Sequence, residues 1–124
     1  MERIILIATA GALGTLARYG LSGAAHRVLG TGFPWGTMAA NLLGAFLFGL
    51  VWSLAEDRMV ISGETRLIVL TGFMGAFTTF STFMFESGQL LKDGQYLYMG
   101  INLIAQNATG LVLLFAGLAL GRLI

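Results

Sequence analysis

The sequence predicts an all-α membrane protein with four membrane-spanning helices, the third of them broken near its middle. Hydrophobic residues make up 56% of the chain and charged residues only 10%, whereas a soluble domain usually carries about 25% charged residues. A chain with so little charge cannot cover a surface that faces water, so we expect it to face lipid. Four apolar stretches, 4–25, 36–55, 67–91 and 97–121, are each long enough to cross a bilayer, which needs roughly 20 residues.

The whole chain, 1–124, is predicted to be a single four-helix transmembrane domain, because the connections between the stretches are too short to hold another domain. The first stretch is longer and richer in glycine than the apolar core of a signal peptide, so we expect it to remain in the mature protein. The chain has no cysteine and one histidine, which excludes disulfides and a thiolate or histidine metal centre. A formal charge of +1 offers no basic surface for nucleic acid.

The basic residues are divided almost evenly between the two sides of the membrane. Four crossings place both termini on the same side as the second connection. The two sides then carry four and three basic residues: Arg3, Arg58, Arg66 and Arg122 against Arg18, Arg27 and Lys92. Because an excess of Lys and Arg on one side normally orients a membrane protein, this balance favours insertion in both orientations as an antiparallel dimer. A weak bias that still decides one orientation is the alternative.

The third stretch has an unusual centre. Residues 70–83 include two glycines, five hydroxyl residues and four phenylalanines. Gly72 and Gly75 weaken a helix, and Thr78 or Thr79 could cap a helix that restarts. An interruption frees main-chain groups that lipid cannot satisfy, and half-helices of this kind build ion sites. A kinked helix whose hydroxyls bond their own carbonyls is the other interpretation.

Two further patterns are candidates for contact with an anion. Phe80 and Phe83 share a helix face, and their ring edges carry positive partial charge; ordinary packing is the alternative. Asn41 places an amide with two N–H donors inside the second stretch. It could instead serve as an interhelical hydrogen bond.

The fourth stretch carries one polar stripe, Asn102, Gln106 and Thr109, at helical spacing. This stripe could line a wet path or hold helices together. Arg18 and Glu86 are ionisable residues within or near the spans, which makes them functional candidates. Arg18 could also extend to the membrane surface, where its charge would be hydrated.

The third stretch closely resembles a known signature. Residues 72–83 are similar to the glycine-rich Thr-Phe-Ser-Thr-Phe signature of the CrcB/Fluc family of fluoride ion channels. The segment Gly36-Thr37…Asn41-Leu42 resembles that family's Gly-Thr-Leu…Asn-Leu motif, and Gly14…Arg18 resembles its first-helix motif. Length, number of spans and order of motifs agree over the whole chain.

The resemblance implies a fluoride-selective channel that passively exports fluoride from the cytoplasm and so prevents its toxic accumulation. It implies an antiparallel, dual-topology homodimer with two pores in the plasma membrane of a prokaryote, the inner membrane if the cell is Gram-negative. It also implies a structural Na⁺ ion on the dimer axis, held by the main-chain carbonyls of Gly75 and Thr78 from each chain.

The resemblance also assigns the pore residues. Phe80 and Phe83 match the pair whose ring edges contact fluoride, and Asn41 matches the pore asparagine. Arg18 matches a vestibule arginine, Ser81 and Thr82 match two hydroxyls near the pore, and Glu86 matches an acidic residue further along it. Asn102 and Gln106, from the polar stripe of the fourth stretch, complete the set of candidates. Asn102 departs from the aromatic or histidine residue that some relatives carry there.

Other functional classes fit the sequence less well. Small multidrug exporters are also short and four-spanning, but they couple protons through a carboxylate in the first helix, and here that stretch has no acid after Glu2. A structural membrane subunit would not need a hydroxyl-rich break. No acid–base pair or nucleophile indicates an enzyme, since the only histidine, His26, lies at the end of a span.

Overall fold

The computed structural model describes residues 1–124, and every regular element in it is helical. Helix α1 spans Glu2–Leu29 and α2 spans Trp35–Glu56. The third crossing is Gly63–Lys92, and the fourth is Tyr96–Leu123. All four are long and apolar enough to cross a membrane. The prediction of four spans is therefore confirmed, and the chain is a multi-pass membrane protein.

The third crossing consists of two halves. Its first half contains α3 (Gly63–Leu67), a wider π-helical segment (Ile68–Met74) and the single turn α4 (Gly75–Phe77); its second half is α5 (Ser81–Lys92), and α6 (Tyr96–Leu123) follows. Thr78 between the halves is extended, with φ −92° and ψ 160°. The predicted interruption of the third helix is confirmed.

The interruption falls after the glycines that we expected to weaken this helix. Gly72 lies in the π-helical segment and Gly75 in α4. Gly72 instead permits close packing, because a Cβ atom there would lie 2.9 Å from the carbonyl oxygen of Ile7 on α1. A Cβ on the buried Gly14 of α1 would overlap the carbonyl of Phe73. Glycines therefore bring α1 against the first half of the third crossing.

Helices α2 and α6 run in the same direction and touch through their main chains. A Cβ on Gly49 would overlap the carbonyl oxygen of Leu114, and a Cβ on Gly117 would overlap that of Phe46. Small residues allow this close approach, which is the usual means of helix association in lipid. The α2–α6 pair is the most extensive helix contact in the chain.

The third crossing changes its packing partner at the interruption. The first half packs on α1, whereas α5 packs on α6. A small apolar core, Ala40, Leu70, Met74 and Phe77, joins the first half to α2. Much of the remaining apolar side-chain area is exposed on the single chain, as expected for a surface covered by lipid or by a second membrane chain.

The end of the bundle that carries both termini is tied by ion pairs. Arg66 pairs with Glu56 and stacks on Trp52, with its guanidinium carbon 5.0 Å from the ring centroid. Asp57 just beyond α2 accepts a 2.9 Å hydrogen bond from Arg122 of α6. The bond from Arg122 and, to a smaller extent, a hydrogen bond from Ser53 lower the pKa of Asp57 below its ordinary value of 3.8.

Candidate functional site

The side chain of Asn41 on α2 takes the place of the missing helical hydrogen bonds at the interruption. Its Oδ1 accepts from the main-chain N–H of Thr79 at 2.8 Å, and its Nδ2 donates to the Thr79 carbonyl at 3.0 Å. Gly44, one turn further along α2, makes room for Thr78, whose methyl group a Cβ on Gly44 would overlap. The freed main-chain groups are thus satisfied by a residue 38 positions away.

On the far side of the interruption, the Thr79 side chain bonds the first turn of α5. Its hydroxyl oxygen accepts from the main-chain N–H of Thr82 at 3.3 Å and donates to the Thr82 hydroxyl at 3.1 Å. Phe80 holds the N-cap position of α5 and makes no side-chain cap. The sequence predicted Thr78 or Thr79 as the cap, and Thr79 bonds the first turn from one residue before that position. The hydroxyl groups of Thr79 and Thr82 therefore stabilise the start of α5.

From Asn41 a continuous line of side-chain hydrogen bonds, which we call the amide ladder, runs along α6 to α5. Asn41 Nδ2 donates to Gln106 Oε1 at 2.8 Å, and Gln106 Nε2 donates to Asn102 Oδ1 at 2.9 Å. Asn102 Nδ2 donates to the Ser87 hydroxyl at 3.0 Å, and that hydroxyl donates to the Phe83 carbonyl at 2.8 Å. Asn102 is fully buried and Gln106 is 8% exposed. The polar stripe of α6 therefore joins α2 to α5.

A groove of 520 Å³ opens between α2, the interruption and α6. Its lining includes Asn41, Thr79, Phe80, Phe83 and Gln106. Phe80 is 73% exposed along the groove while Phe83 is only 6% exposed. The two ring centroids are 6.3 Å apart and the ring planes are inclined by 73°, so the rings meet edge to face.

Arg18 lies outside this groove. Its Nε donates to the Ala76 carbonyl at 3.1 Å, close to the C-terminal end of the first half of the third crossing. A cation at a helix C-terminus compensates the helix dipole and satisfies a carbonyl that has no helical partner. In this chain Arg18 is bonded to the main chain of the third crossing.

Glu86 faces a different cavity. It borders a polar space of 340 Å³ near the end of α1 and α5, with His26, Gln89 and Asp93 among its neighbours. One carboxylate oxygen of Glu86, Oε1, is buried and has no hydrogen-bond partner. Ser81 is exposed at the start of α5.

The carbonyls of Gly75 and Thr78 lack their usual helical donors. In an unbroken helix the Thr79 N–H would bond the Gly75 carbonyl, but here it donates to Asn41. The Thr82 N–H would bond the Thr78 carbonyl, but here it donates to the Thr79 hydroxyl. Oxygen atoms released in this way are the ligand type that hard cations prefer, so the donor set fits an ion such as Na⁺.

The structure therefore collects four of the predicted pore residues, Asn41, Phe80, Phe83 and Gln106, around one groove. Asn102 lies behind them in the amide ladder, Thr82 bonds Thr79 at the start of α5, and the other three predicted residues do not line the groove: Arg18, Ser81 and Glu86. Ser87, which ends the ladder, was not among the residues predicted from the sequence. A sequence offers little signal for it, because its partner Asn102 follows 15 residues later, across a turn.

Comparison with known proteins shows to which family the sequence is similar. Residues 5–118 match the family model described as "CrcB-like protein, Camphor Resistance (CrcB)". The chain is 60% identical over 124 residues to the protein named fluoride-specific ion channel FluC of Solidesulfovibrio magneticus, covering 100% of this chain and 99% of the relative. A protein of the same name from Nitrosococcus oceani is 55% identical over 99% of this chain and 98% of its own length. One from Geobacter sulfurreducens is 44% identical over 98% of each.

Proposed function

The chain belongs to the CrcB-like family, and we propose that it is a fluoride-selective ion channel that passively exports fluoride from the cytoplasm and prevents its toxic accumulation. The observation that carries the proposal is the groove beside the interrupted helix, which two phenylalanine rings and side-chain amides line. Relatives at 44% to 60% identity that bear the name fluoride-specific ion channel support it. The chain is a channel and not an enzyme.

The groove has the chemistry that fluoride needs. A small, strongly hydrated anion must exchange its water for other donors, and amide N–H groups and positive ring edges supply them. No Lys or Arg lines the groove. Because a site must release the ion as well as bind it, partial charges suit conduction better than a fixed cation.

We further propose that two chains assemble as an antiparallel, dual-topology homodimer with two pores. The groove is open along one side of the single chain, where Phe80 is 73% exposed, and a second copy would close it. The four-to-three division of basic residues supports insertion both ways. Because the chain contains no cysteine, single cysteines introduced near each end can test this: labelling from only one membrane face would contradict it.

A structural Na⁺ on the dimer axis is part of the same proposal. The carbonyls of Gly75 and Thr78 would hold it, two oxygens from each chain. When bound, such an ion would supply positive charge to the released carbonyl oxygens of both chains and so link the two interruptions. The Thr78 hydroxyl donates to the Met74 carbonyl and is not needed as a ligand, so Thr78→Val should leave the ion in place.

The bacterial relatives support a place in the plasma membrane of a prokaryote, which is the inner membrane if the cell is Gram-negative. The rival functions find no support in the structure. A proton-coupled multidrug exporter needs a carboxylate within α1, and the only acid there, Glu2, lies at its first residue. A purely structural subunit would not need an amide ladder beside an open groove.

The deciding experiment is ion efflux from liposomes that contain the purified protein. Electrodes for fluoride and chloride record each ion from the same preparation. We expect rapid fluoride efflux that needs no Na⁺ gradient and chloride efflux no faster than from empty liposomes. Equal rates for the two halides would overturn the proposed function.

A further inference from the structure

Two main-chain groups fix the direction of the amide ladder, because neither can reverse its role. The Thr79 N–H can only donate, so Asn41 must present Oδ1 to it and turn Nδ2 toward Gln106. The Phe83 carbonyl can only accept, so the Ser87 hydroxyl donates to it and accepts from Asn102. Both ends demand the same polarity, so each amide between them has one favoured orientation.

With the direction fixed, the hydrogens of each amide can be counted. Each side-chain amide nitrogen has two hydrogens. Asn41 uses both, on the Thr79 carbonyl and on Gln106 Oε1. Gln106 uses one, on Asn102 Oδ1, and retains the other. Asn102 also retains one, but it is 0% exposed and does not line the groove.

Two amide N–H groups remain beside the groove, one on Gln106 and one on Asn107, which bonds only the Leu103 carbonyl. Asn107 is exposed, so its N–H can bond water, and the remaining N–H of Gln106 is therefore the buried amide donor that the groove offers. Gln106 is 8% exposed, so water has little access to it, and it borders the groove together with Phe80 and Phe83. A buried donor without an acceptor is unfavourable. An anion in the groove would remove that cost, whereas a cation would add to it.

We propose that Gln106 Nε2 donates a hydrogen bond to fluoride in this groove, and that Asn102 and Ser87 are positioning residues that hold the donor in the correct orientation. This inference rests on the proposed function as a fluoride channel. Ser87 is the critical end of the ladder: without its hydroxyl, Asn102 loses the acceptor for Nδ2 and is free to turn. Gln106 would then lose the fixed partner that orients its own amide.

The first test measures fluoride efflux as a function of fluoride concentration for Ser87→Ala. Losing one oriented hydrogen bond to the anion should raise the half-saturating fluoride concentration about tenfold, with a smaller change in the maximal rate. Ser87→Thr keeps the hydroxyl and should restore the wild-type value. A half-saturating concentration unchanged in Ser87→Ala would overturn the inference.

The matched control is Thr9→Ala. The hydroxyls of Thr9 and Ser87 each donate to the carbonyl four residues earlier at 2.8 Å. Only the Ser87 hydroxyl also accepts from another helix. We expect Thr9→Ala to saturate like the wild type; a shift equal to that of Ser87→Ala would mean that loss of a helix-bound hydroxyl alone explains the effect, and the inference would fail.

A second measurement does not depend on how the Ser87 variant folds. In protein labelled with ¹⁵N at its three glutamines, Gln106→Met identifies the Gln106 side-chain signal by its loss. Sodium fluoride, but not sodium chloride, should shift one of the two Gln106 amide protons in the wild type. An unmoved Gln106 signal in protein that conducts fluoride would overturn the inference alone, whereas a wild type that conducts no fluoride would overturn the proposed function itself.

Discussion

Along α6, the half nearer Tyr96 meets its neighbours through side-chain amides, whereas the half nearer Leu123 meets α2 through glycines. Asn102 and Gln106 join α6 to α5 and α2 by hydrogen bonds. Gly117 and Gly121 instead let main chains and small side chains touch. Apolar surface gains little from association inside lipid, so close contact and hydrogen bonds must both hold helices together. An added side-chain atom would therefore disrupt the contacts of the glycine half, whereas the loss of a polar atom would disrupt those of the amide half.

The largest effect is expected where the amide half meets the interruption. Asn41→Leu leaves the Thr79 N–H, the Thr79 carbonyl and Gln106 Oε1 without their partner. At about 1 kcal/mol or more for each buried group, we expect a loss of about 3 kcal/mol in unfolding free energy and little remaining fluoride efflux. Thermal unfolding in detergent and liposome efflux measure the two losses.

The control for Asn41→Leu is Asn107→Leu, judged by stability alone. The Asn107 amide is exposed and bonds only the Leu103 carbonyl of its own helix, so its loss should change the unfolding free energy by no more than about 0.5 kcal/mol. If the two variants unfold at the same temperature, Asn41 does not brace the interruption.

The next largest effect belongs to the glycine half. Gly117→Ala adds one methyl group that would overlap the Phe46 carbonyl of α2, and a main-chain oxygen cannot rotate away. Overpacking of this kind costs about 1–3 kcal/mol, which should lower the thermal midpoint. Gly100→Ala on the same helix meets nothing within 4 Å and should be neutral or slightly stabilising; equal destabilisation by both would show that helix contact is not the cause.

Substitutions in the phenylalanine pair distinguish an effect on fluoride efflux from an effect on stability. Phe80→Ile and Phe83→Ile should each reduce fluoride efflux about fivefold or more, because each removes a positive ring edge. Only Phe83→Ile should also lower the unfolding free energy, by about 1 kcal/mol, since Phe83 is buried whereas Phe80 is exposed. Normal efflux in both variants would show that the two rings serve only in packing.

The smallest effect lies beyond the glycine half, where Arg122 of α6 bonds Asp57. Because this bond lowers the pKa of Asp57 below 3.8, its stabilisation is complete above pH 3.8 and is lost as the pH falls through the lower folded-state pKa. Asp57→Asn should slightly lower the thermal midpoint at pH 7 and weaken its decline in acid. A decline identical to that of the wild type would show that other groups are responsible.

Several features of the molecule could be predicted from local sequence. Apolar length alone predicts four crossings, because each helix must satisfy its own main chain in lipid. The presence of an interruption follows from hydroxyl and glycine residues at mid-membrane, and the spacing of Asn102 and Gln106 predicts that they share one helix face. These predictions succeed because they depend on periodicity within a single helix.

The position of the interruption and the arrangement of the site required the tertiary structure. Gly72 and Gly75 are weak helix formers near the middle of the third crossing, yet the helix breaks at Thr78–Phe80, because Asn41 of α2 offers partners there. Gly72 is instead used for contact with α1. Intrinsic propensity differs by only about 1 kcal/mol per residue, which a set of buried hydrogen bonds from another helix outweighs.

The sequence by itself determined which polar groups enter the membrane, because composition and helical period decide that for each span. Only the tertiary structure decided how those groups pair. The Asn41 amide could have faced the groove with both donors free, but the Thr79 main chain and Gln106 take them. Ser87 resembles many helix hydroxyls until Asn102 meets it from α6. Hydrogen-bond direction is a property of partners brought together by folding, and no local pattern contains it.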